Sequence, residues 1–306
     1  MIEAHELTKR FGDKTAVNGV SFTVRPGVVT GFLGPNGAGK STIMKLTLGL
    51  QRPTSGSVTI NGKRYTQSAA PMREVGALLD AGWVHPRRSA RNHLRAIALT
   101  QGYDRGRVDD VLEQAGLTSA ADANAGTYSL GMKQRLGIAT ALLGDPSTLI
   151  LDEPVNGLDP DGVIWIRELL RELAAEGRTV LLSSHLMSEM EQTADRVIVI
   201  GRGEVLADGE LQDIIAGGTK ASVIVRSPRL HEFADVLQRA GVEPMIEHDL
   251  IRVSGASAAD VGDLAAHVGI PLHELRSADR SLEDAYRQLV GDSIEHSAGA
   301  RTEKKR

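Results

Sequence analysis

The sequence contains no cysteine among its 306 residues. That excludes disulfides, thiolate metal sites and a cysteine nucleophile, and it fits a reducing compartment. Aromatic residues make up only 3%, so the core is expected to be built from Leu, Val, Ile and Ala. No apolar run approaches the ~18 residues of a membrane span, and no charged-then-apolar leader with a small-residue cleavage site is present. A cytosolic protein is expected, with no direct membrane insertion and any work at a membrane done through a partner. A strong excess of charge of either sign is also lacking. The formal net charge of −4 argues against a nucleic-acid-binding protein dominated by phosphate contacts. With 41% hydrophobic residues the chain can fill one large domain or two modest ones.

Glycine, by contrast, is plentiful at 33 residues. Its most informative cluster is Gly34-Pro35-Asn36-Gly37-Ala38-Gly39-Lys40-Ser41, followed by Thr42. This satisfies G-x-x-x-x-G-K-[ST] between a strand-like run at 28–33 and a helix-like run at 40–48. Glycines let successive backbone N–H groups curl round an anion, and the helix N-terminus adds its dipole. Lys40 brings a point charge for the β/γ-phosphates, and the Ser41 hydroxyl can ligate Mg²⁺. Nucleotide binding follows from these features occurring together.

Ahead of the loop, short β-like runs alternate with turn signals such as Phe11-Gly12-Asp13 and Arg25-Pro26-Gly27, and 57–60 followed by Asn61-Gly62 reads as another hairpin. An antiparallel sheet beside the nucleotide core is expected. Phe11 stacks on a purine from there or is an ordinary core aromatic. From 89 to 143 the pattern turns helical, with helices at 90–100, 108–115 and 131–143. An apolar strand at 147–151 then ends in Asp152-Glu153. Carboxylates at the C-terminal end of a buried parallel strand stand where open α/β sheets bind ligands. Alone they read equally as a helix N-cap pair; after a phosphate loop, a Mg²⁺ and water site is favoured. A helix from Asp159-Pro160 to 176 leads to a second apolar strand, 179–183, which ends at Ser184-His185. His185 is a satisfied surface residue or, on the same sheet edge as Lys40 and Glu153, part of the site. Runs 196–200 and 204–207 read as a closing hairpin.

Gly217-Gly218 marks a composition break read as a linker. The order strand, helix, two strands, helix, strand and final helix over 218–292 suggests a small α+β, ferredoxin-like domain. It carries no catalytic spacing, so packing or dimerisation is its expected use. Residues 293–306 are polar, end in Lys304-Lys305-Arg306, and are expected to form a disordered tail.

Together with the phosphate loop, Tyr128-Ser129-Leu130-Gly131-Met132-Lys133-Gln134-Arg135, the 149–153 strand, Asn156-Gly157-Leu158-Asp159 and Ser184-His185 occur in that order. This series resembles the ATP-binding subunit of an ABC transporter, over residues 1–217. Within that family the chain looks most like the stand-alone ATPases of ABC-2-type exporters, drug-efflux and antibiotic-resistance systems included. The resemblance implies an α/β P-loop NTPase (RecA-like) core with an antiparallel β-subdomain and a helical subdomain at about 85–144. It implies an ATPase that uses ATP and Mg²⁺, in which 34–42 is the Walker A loop and 149–152 the Walker B strand. Asp152 and Ser41 would hold Mg²⁺, Glu153 would position the attacking water as general base, and His185 would contact the γ-phosphate. Phe11 takes the place of the adenine-stacking aromatic, and 156–159, with Asp159, that of a loop along a dimer interface.

Ser129-Leu130-Gly131-Met132 stands where the family signature usually reads Leu-Ser-Gly-Gly-Gln, and it departs at Leu130 and Met132. In the family this stretch closes over the ATP of the other subunit, so Ser129 and Gly131 would bind it in trans. Asp80 falls where a glutamine normally contacts Mg²⁺ and senses the transmembrane partner; as an oxygen donor it could keep the metal contact. Expected partners are a second copy of the chain and a separately encoded integral-membrane permease, which would hold the chain on the inner face of the cell membrane. The alternative is a soluble ABC ATPase or an ATP-dependent regulator without a membrane partner. A single phosphate loop and the low net charge argue against the first, and Glu153 with His185 against the second.

Overall fold

The computed structural model describes residues 1–82, 84–104, 106–218, 222–277 and 281–289. Contacts divide the chain into Met1–Leu211 and Gln212–Arg306. The linker expected at Gly217-Gly218 is helical instead: a helix runs over Leu211–Gly218 and starts where the first unit ends. Two glycines at its last turn are compatible with a C-terminus, where glycine is tolerated. The tail expected at 293–306 lies outside the described residues.

In the first unit, β1 (Ile2–Phe11), β2 (Lys14–Val24) and β4 (Ser55–Ile60) form an antiparallel sheet in the order β2-β1-β4. β3 (Val29–Leu33) and α1 (Lys40–Thr47) intervene between β2 and β4. The turn at Asn61-Gly62 is closed by one bridge between Ile60 and Lys63 and leads to no paired strand. After the short α2 (Pro71–Glu74) comes β5 (Val75–Leu78), a strand the sequence did not announce because its apolar run is so short. α3 (Ala90–Gln101), α4 (Gly106–Gln114) and α5 (Leu130–Leu142) follow. α3 begins at Ser89, whose hydroxyl accepts the Asn92 N–H, and its Gly102 C-cap is left-handed at φ 68°.

β6 (Thr148–Asp152), α6 (Pro160–Ala175), β7 (Thr179–Ser184), α7 (Met187–Thr193), β8 (Arg196–Gly201) and β9 (Glu204–Glu210) complete the unit before α8 (Leu211–Gly218). A six-stranded sheet runs in the order β5-β6-β7-β3-β8-β9 and is parallel except at its β8/β9 hairpin. β3 and β7 are buried at every residue, as expected for strands covered on both faces. Because neighbouring strands run the same way, the carboxyl ends of β3, β6 and β7 open on one edge. That edge receives Gly34–Lys40, Asp152-Glu153 and Ser184-His185. Beneath it, Phe22 and Phe32 meet edge to face with ring centroids 5.1 Å apart inside an aliphatic core that includes Ile43, Met44, Ile150, Leu181 and Ile198.

The second unit is β10 (Ser222–Arg226), α9 (Leu230–Arg239), β11 (Pro244–Glu247), β12 (Leu250–Ser254), α10 (Ala258–His267), β13 (Glu274–Ser277) and α11 (282–289). Its sheet order is β11-β12-β10-β13, antiparallel throughout. Val223, Val225, Ile251 and Val253 pack with Phe233, Leu237 and Val261; β12 alternates buried with half-buried residues, whereas Ile224 of β10 is buried too. Ser257 and Asp260 form a capping box at the start of α10.

Candidate functional site

The loop between β3 and α1 forms one wall of a cavity of about 540 Å³. Its other walls come from Phe11, Lys14–Ala16, Glu153 and Arg202, and the loop contributes every residue from Pro35 to Thr42. The backbone explains the glycines. Gly39 has φ 115°, and a Cβ there would stand 2.8 Å from the Ala16 carbonyl oxygen; a Cβ on Gly34 would collide with the Ile200 carbonyl. A side chain at either position would force the loop out of this shape. α1 has no side-chain cap at Gly39, so its first N–H groups remain available to an anion.

Lys40 lies 5% exposed with Nζ donating to the carbonyls of Gly34 at 2.6 Å and Pro35 at 3.3 Å. Burial lowers its pKa from the ordinary lysine value, against the pull of Glu153 and then Asp152. Glu153 Oε1 stands 3.8 Å from Lys40 Nζ, and its Oε2 accepts from His185 Nδ1 at 2.9 Å. One carboxylate therefore joins the residues at the ends of three parallel strands. Glu153 itself sits at φ 50°, a left-handed conformation that costs a non-glycine residue about 1–3 kcal/mol and recurs at active sites. Its N–H donates to Ser183 Oγ at 3.0 Å, and the Ser183 hydroxyl donates in turn to Asp152 Oδ1.

Ser183 is a site residue that no motif announces. The signal for it was a Ser-Ser pair closing an otherwise apolar strand, and the register that sets Ser183 opposite Asp152 gives it meaning. Gln134, within the 128–135 stretch, gains its meaning from the tertiary contacts. It is 5% exposed, and its Nε2 donates to the carbonyls of Glu153 at 3.2 Å and Pro154 at 3.0 Å.

Phe11 is 47% exposed and faces the cavity, with Lys9 Nζ 4.9 Å from its ring centroid, so it is no core aromatic. Ser129, Gly131 and Asp159 are not among the residues lining this cavity. They lie together elsewhere: Ser129 caps α5 by accepting the Met132 N–H, Asp159 caps α6 by accepting the Gly162 N–H, and a Cβ on Gly131 would stand 2.8 Å from the Gly157 carbonyl.

Asp80 is not among the residues lining the Lys40 cavity either. Its carboxylate accepts the Gly82 N–H at 2.7 Å, and it lines a different cavity of about 210 Å³ with Leu78, Leu79, Val84, His93 and Ile97. A two-residue backbone bond of this kind is favoured by the short Asp side chain. As for a metal, the described residues contain no group of three His, Asp or Glu able to hold one. Ser41 and Asp152 offer two oxygen donors, a set that suits Mg²⁺ if phosphate oxygens and water complete its shell. Among the described residues no helix is long and apolar enough to cross a membrane.

Comparison with known proteins identifies the family. A family model described as ABC transporter matches residues 17–156, and one described as a domain of unknown function (DUF8746) matches 221–283. The uncharacterized ABC transporter ATP-binding protein YhcH of Bacillus subtilis is 35% identical over 299 residues, covering 96% of this chain and 97% of the relative. The bacitracin transport ATP-binding protein BcrA of Bacillus licheniformis is 34% identical over 298 residues, covering 95% and 97%. A solved structure of an ATP-binding subunit of an ABC transporter superposes with a TM-score of 0.63 at 25% identity, covering 87% of this chain and 99% of that one. On the strength of relatives aligned over nearly their whole length and of the matching family model, the chain belongs to the ATP-binding proteins of ABC transporters and is an ATPase.

Proposed function

We propose that this chain powers a membrane exporter by pairing head to tail with a second copy around two ATP molecules, and that hydrolysis lets the pair open. The observation that carries the reading is the Glu153 carboxylate held between Lys40 Nζ and His185 Nδ1. In this reading residues 34–42 wrap the phosphates and Lys40 exchanges its two carbonyl partners for phosphate oxygens. Phe11 offers its exposed face to the adenine. Glu153 accepts a proton from the attacking water, a role worth about 10²–10⁴-fold. His185 steadies that carboxylate and reaches the γ-phosphate. Mg²⁺, held by Ser41 and Asp152, would supply charge neutralisation on the β- and γ-phosphates.

Ser129, Gly131 and Asp159 lie away from the cavity of their own chain, which supports a role against the ATP of the second copy. There the free N–H groups at the start of α5 suit a γ-phosphate. The cavity beside Asp80 is apolar at Leu78, Leu79, Val84 and Ile97. It suits a short helix of a separately encoded permease, which would keep the chain at the inner face of the membrane. The Asp80 carboxylate, occupied with the Gly82 N–H, is left out of the Mg²⁺ set and assigned to that groove. A relative of Burkholderia lata named as a Nod factor export ATP-binding protein, 40% identical over 228 residues, supports export as the direction.

The test compares ATP turnover of the wild-type chain and Glu153→Gln while light scattering follows dimerisation with Mg-ATP. The variant is expected to bind ATP, to lose about 10²–10⁴-fold in turnover and to accumulate as a dimer. Rapid hydrolysis by the variant would sink the assignment of the base. Absence of an ATP-dependent dimer would instead favour a nucleotide-dependent regulator.

A further inference from the structure

Gln134 has no contact with the phosphate cavity, yet its amide is buried and both of its hydrogen bonds go to the backbone of the catalytic bend. The Glu153 carbonyl also accepts the Asn156 N–H at 3.2 Å, so that bend is closed from within and pinned from α5. Two donations to successive carbonyls fix both the position and the rotation of the Glu153-Pro154 peptide. This matters because Glu153 sits in a minority backbone conformation at φ 50°. The aim of its carboxylate depends on that backbone being held.

The same helix is stitched to the following loop one turn earlier. The Leu130 side chain lies against Gly157, and Gly131 packs on the Gly157 carbonyl so closely that a Cβ would stand 2.8 Å away. One residue after Gln134, the Arg135 guanidinium stacks 4.3 Å over Trp165 of α6 and donates to the Ala115 carbonyl at 3.0 Å. The first turns of α5 thus run as one rod from Ser129 to the bend that carries the base.

We propose that Gln134 is a positioning residue linking the N-terminus of α5 to the carboxylate of Glu153, so that contact of Ser129 with a second copy's ATP sets the general base of its own chain. The inference rests on the head-to-tail dimer proposed above. Each site of the pair then reads the occupancy of the other: phosphate bound at Ser129 draws the rod, Gln134 carries the displacement to two carbonyls, and the base follows. Occupation of both sites becomes the condition for rapid turnover at either.

The experiment uses the full chain with Gln134→Glu and Gln134→Met. The first keeps the shape and turns an acceptor toward two carbonyls; the second keeps the length and removes the polar group, and it decides the matter if the first fails to fold by thermal melting. Turnover is measured against ATP concentration, and affinity separately with a fluorescent ATP analogue. Turnover should fall about tenfold to a hundredfold, the loss expected of a misplaced catalytic group. Affinity should change less than about threefold, and the Hill coefficient should drop from near the two-site limit of about 2 to about 1.

Wild-type turnover and Hill coefficient in Gln134→Met would overturn the proposal, as would a parallel loss of affinity and turnover, which marks a merely structural role. A Glu153→Gln chain that still forms the ATP dimer beside unaffected Gln134 variants would remove this inference alone. A missing dimer would remove both.

Discussion

In the first unit ionisable groups converge, with Lys40, Glu153 and His185 joined through one carboxylate at the ends of three neighbouring strands. In the second unit the strand arginines face acids beside them at the surface: Arg226 meets Asp249 and Glu274, Arg252 meets Glu247, and Arg276 meets Glu274. The sheets account for the contrast. Parallel strands deliver all their carboxyl ends to one edge, where loops and helix N-termini meet. An antiparallel sheet sends alternate ends to opposite edges, so its charges find partners on the sheet surface instead, across strands for Arg226 with Glu274 and Arg252 with Glu247 and within β13 for Arg276. The first arrangement stores charge for a ligand, and the second cancels it.

The largest effect that would sharpen this comparison is expected in the second unit. Phe233 is fully buried at the centre of its core, and Phe233→Ala should cost that unit about 3–5 kcal/mol. Chemical denaturation should show the loss, while ATP still stabilises the first unit. Equal loss of ATP turnover per folded chain would break the comparison by making the second unit part of the motor.

Next in size is Lys40→Met, which removes the buried lysine of the phosphate loop. ATP turnover should fall by about 10²–10³-fold, as when a preorganised donor to a transition state is removed, and melting without nucleotide should change far less. Unaltered turnover would show that the converging charges serve stability alone.

The smallest effect concerns His93, whose pKa is lowered from 6.5 by burial and, secondarily, by Arg88. Because the folded imidazole takes up its proton less readily than the unfolded one, stability is full above pH 6.5. It declines as the pH falls from there through the lowered folded value. Melting temperatures of the wild type at pH 7 and about 5.5 should differ more than those of His93→Gln. An equal pH dependence in both would remove His93 from the account.

Much of the site was legible because its motifs are local. Residues 34–42 specify their own loop: glycines stand where a Cβ would strike Ala16 or Ile200, and Lys40 follows at the helix start. The strands before Asp152 and His185 were equally plain as short apolar runs ending in polar residues. Less legible were β5, too short to show a pattern, and α8, where two glycines suggested a break and a helix end accommodates them instead. Asp80 could be placed by alignment with a family pattern, but the bond from its carboxylate to the Gly82 N–H depends on the local turn.

The sequence by itself determined the phosphate loop, the order of the carboxylates and histidine, and membership in a family of ATPases, because each is carried by residues adjacent in the chain. Only the tertiary structure decided that one Glu153 carboxylate touches both Lys40 and His185, that Ser183 ties Asp152 to the Glu153 backbone, and that Gln134 pins the bend from α5. Those contacts join positions 19 to 32 residues apart along the chain or, for Lys40, more than a hundred. Strand order and register bring such partners together, and no local periodicity encodes them.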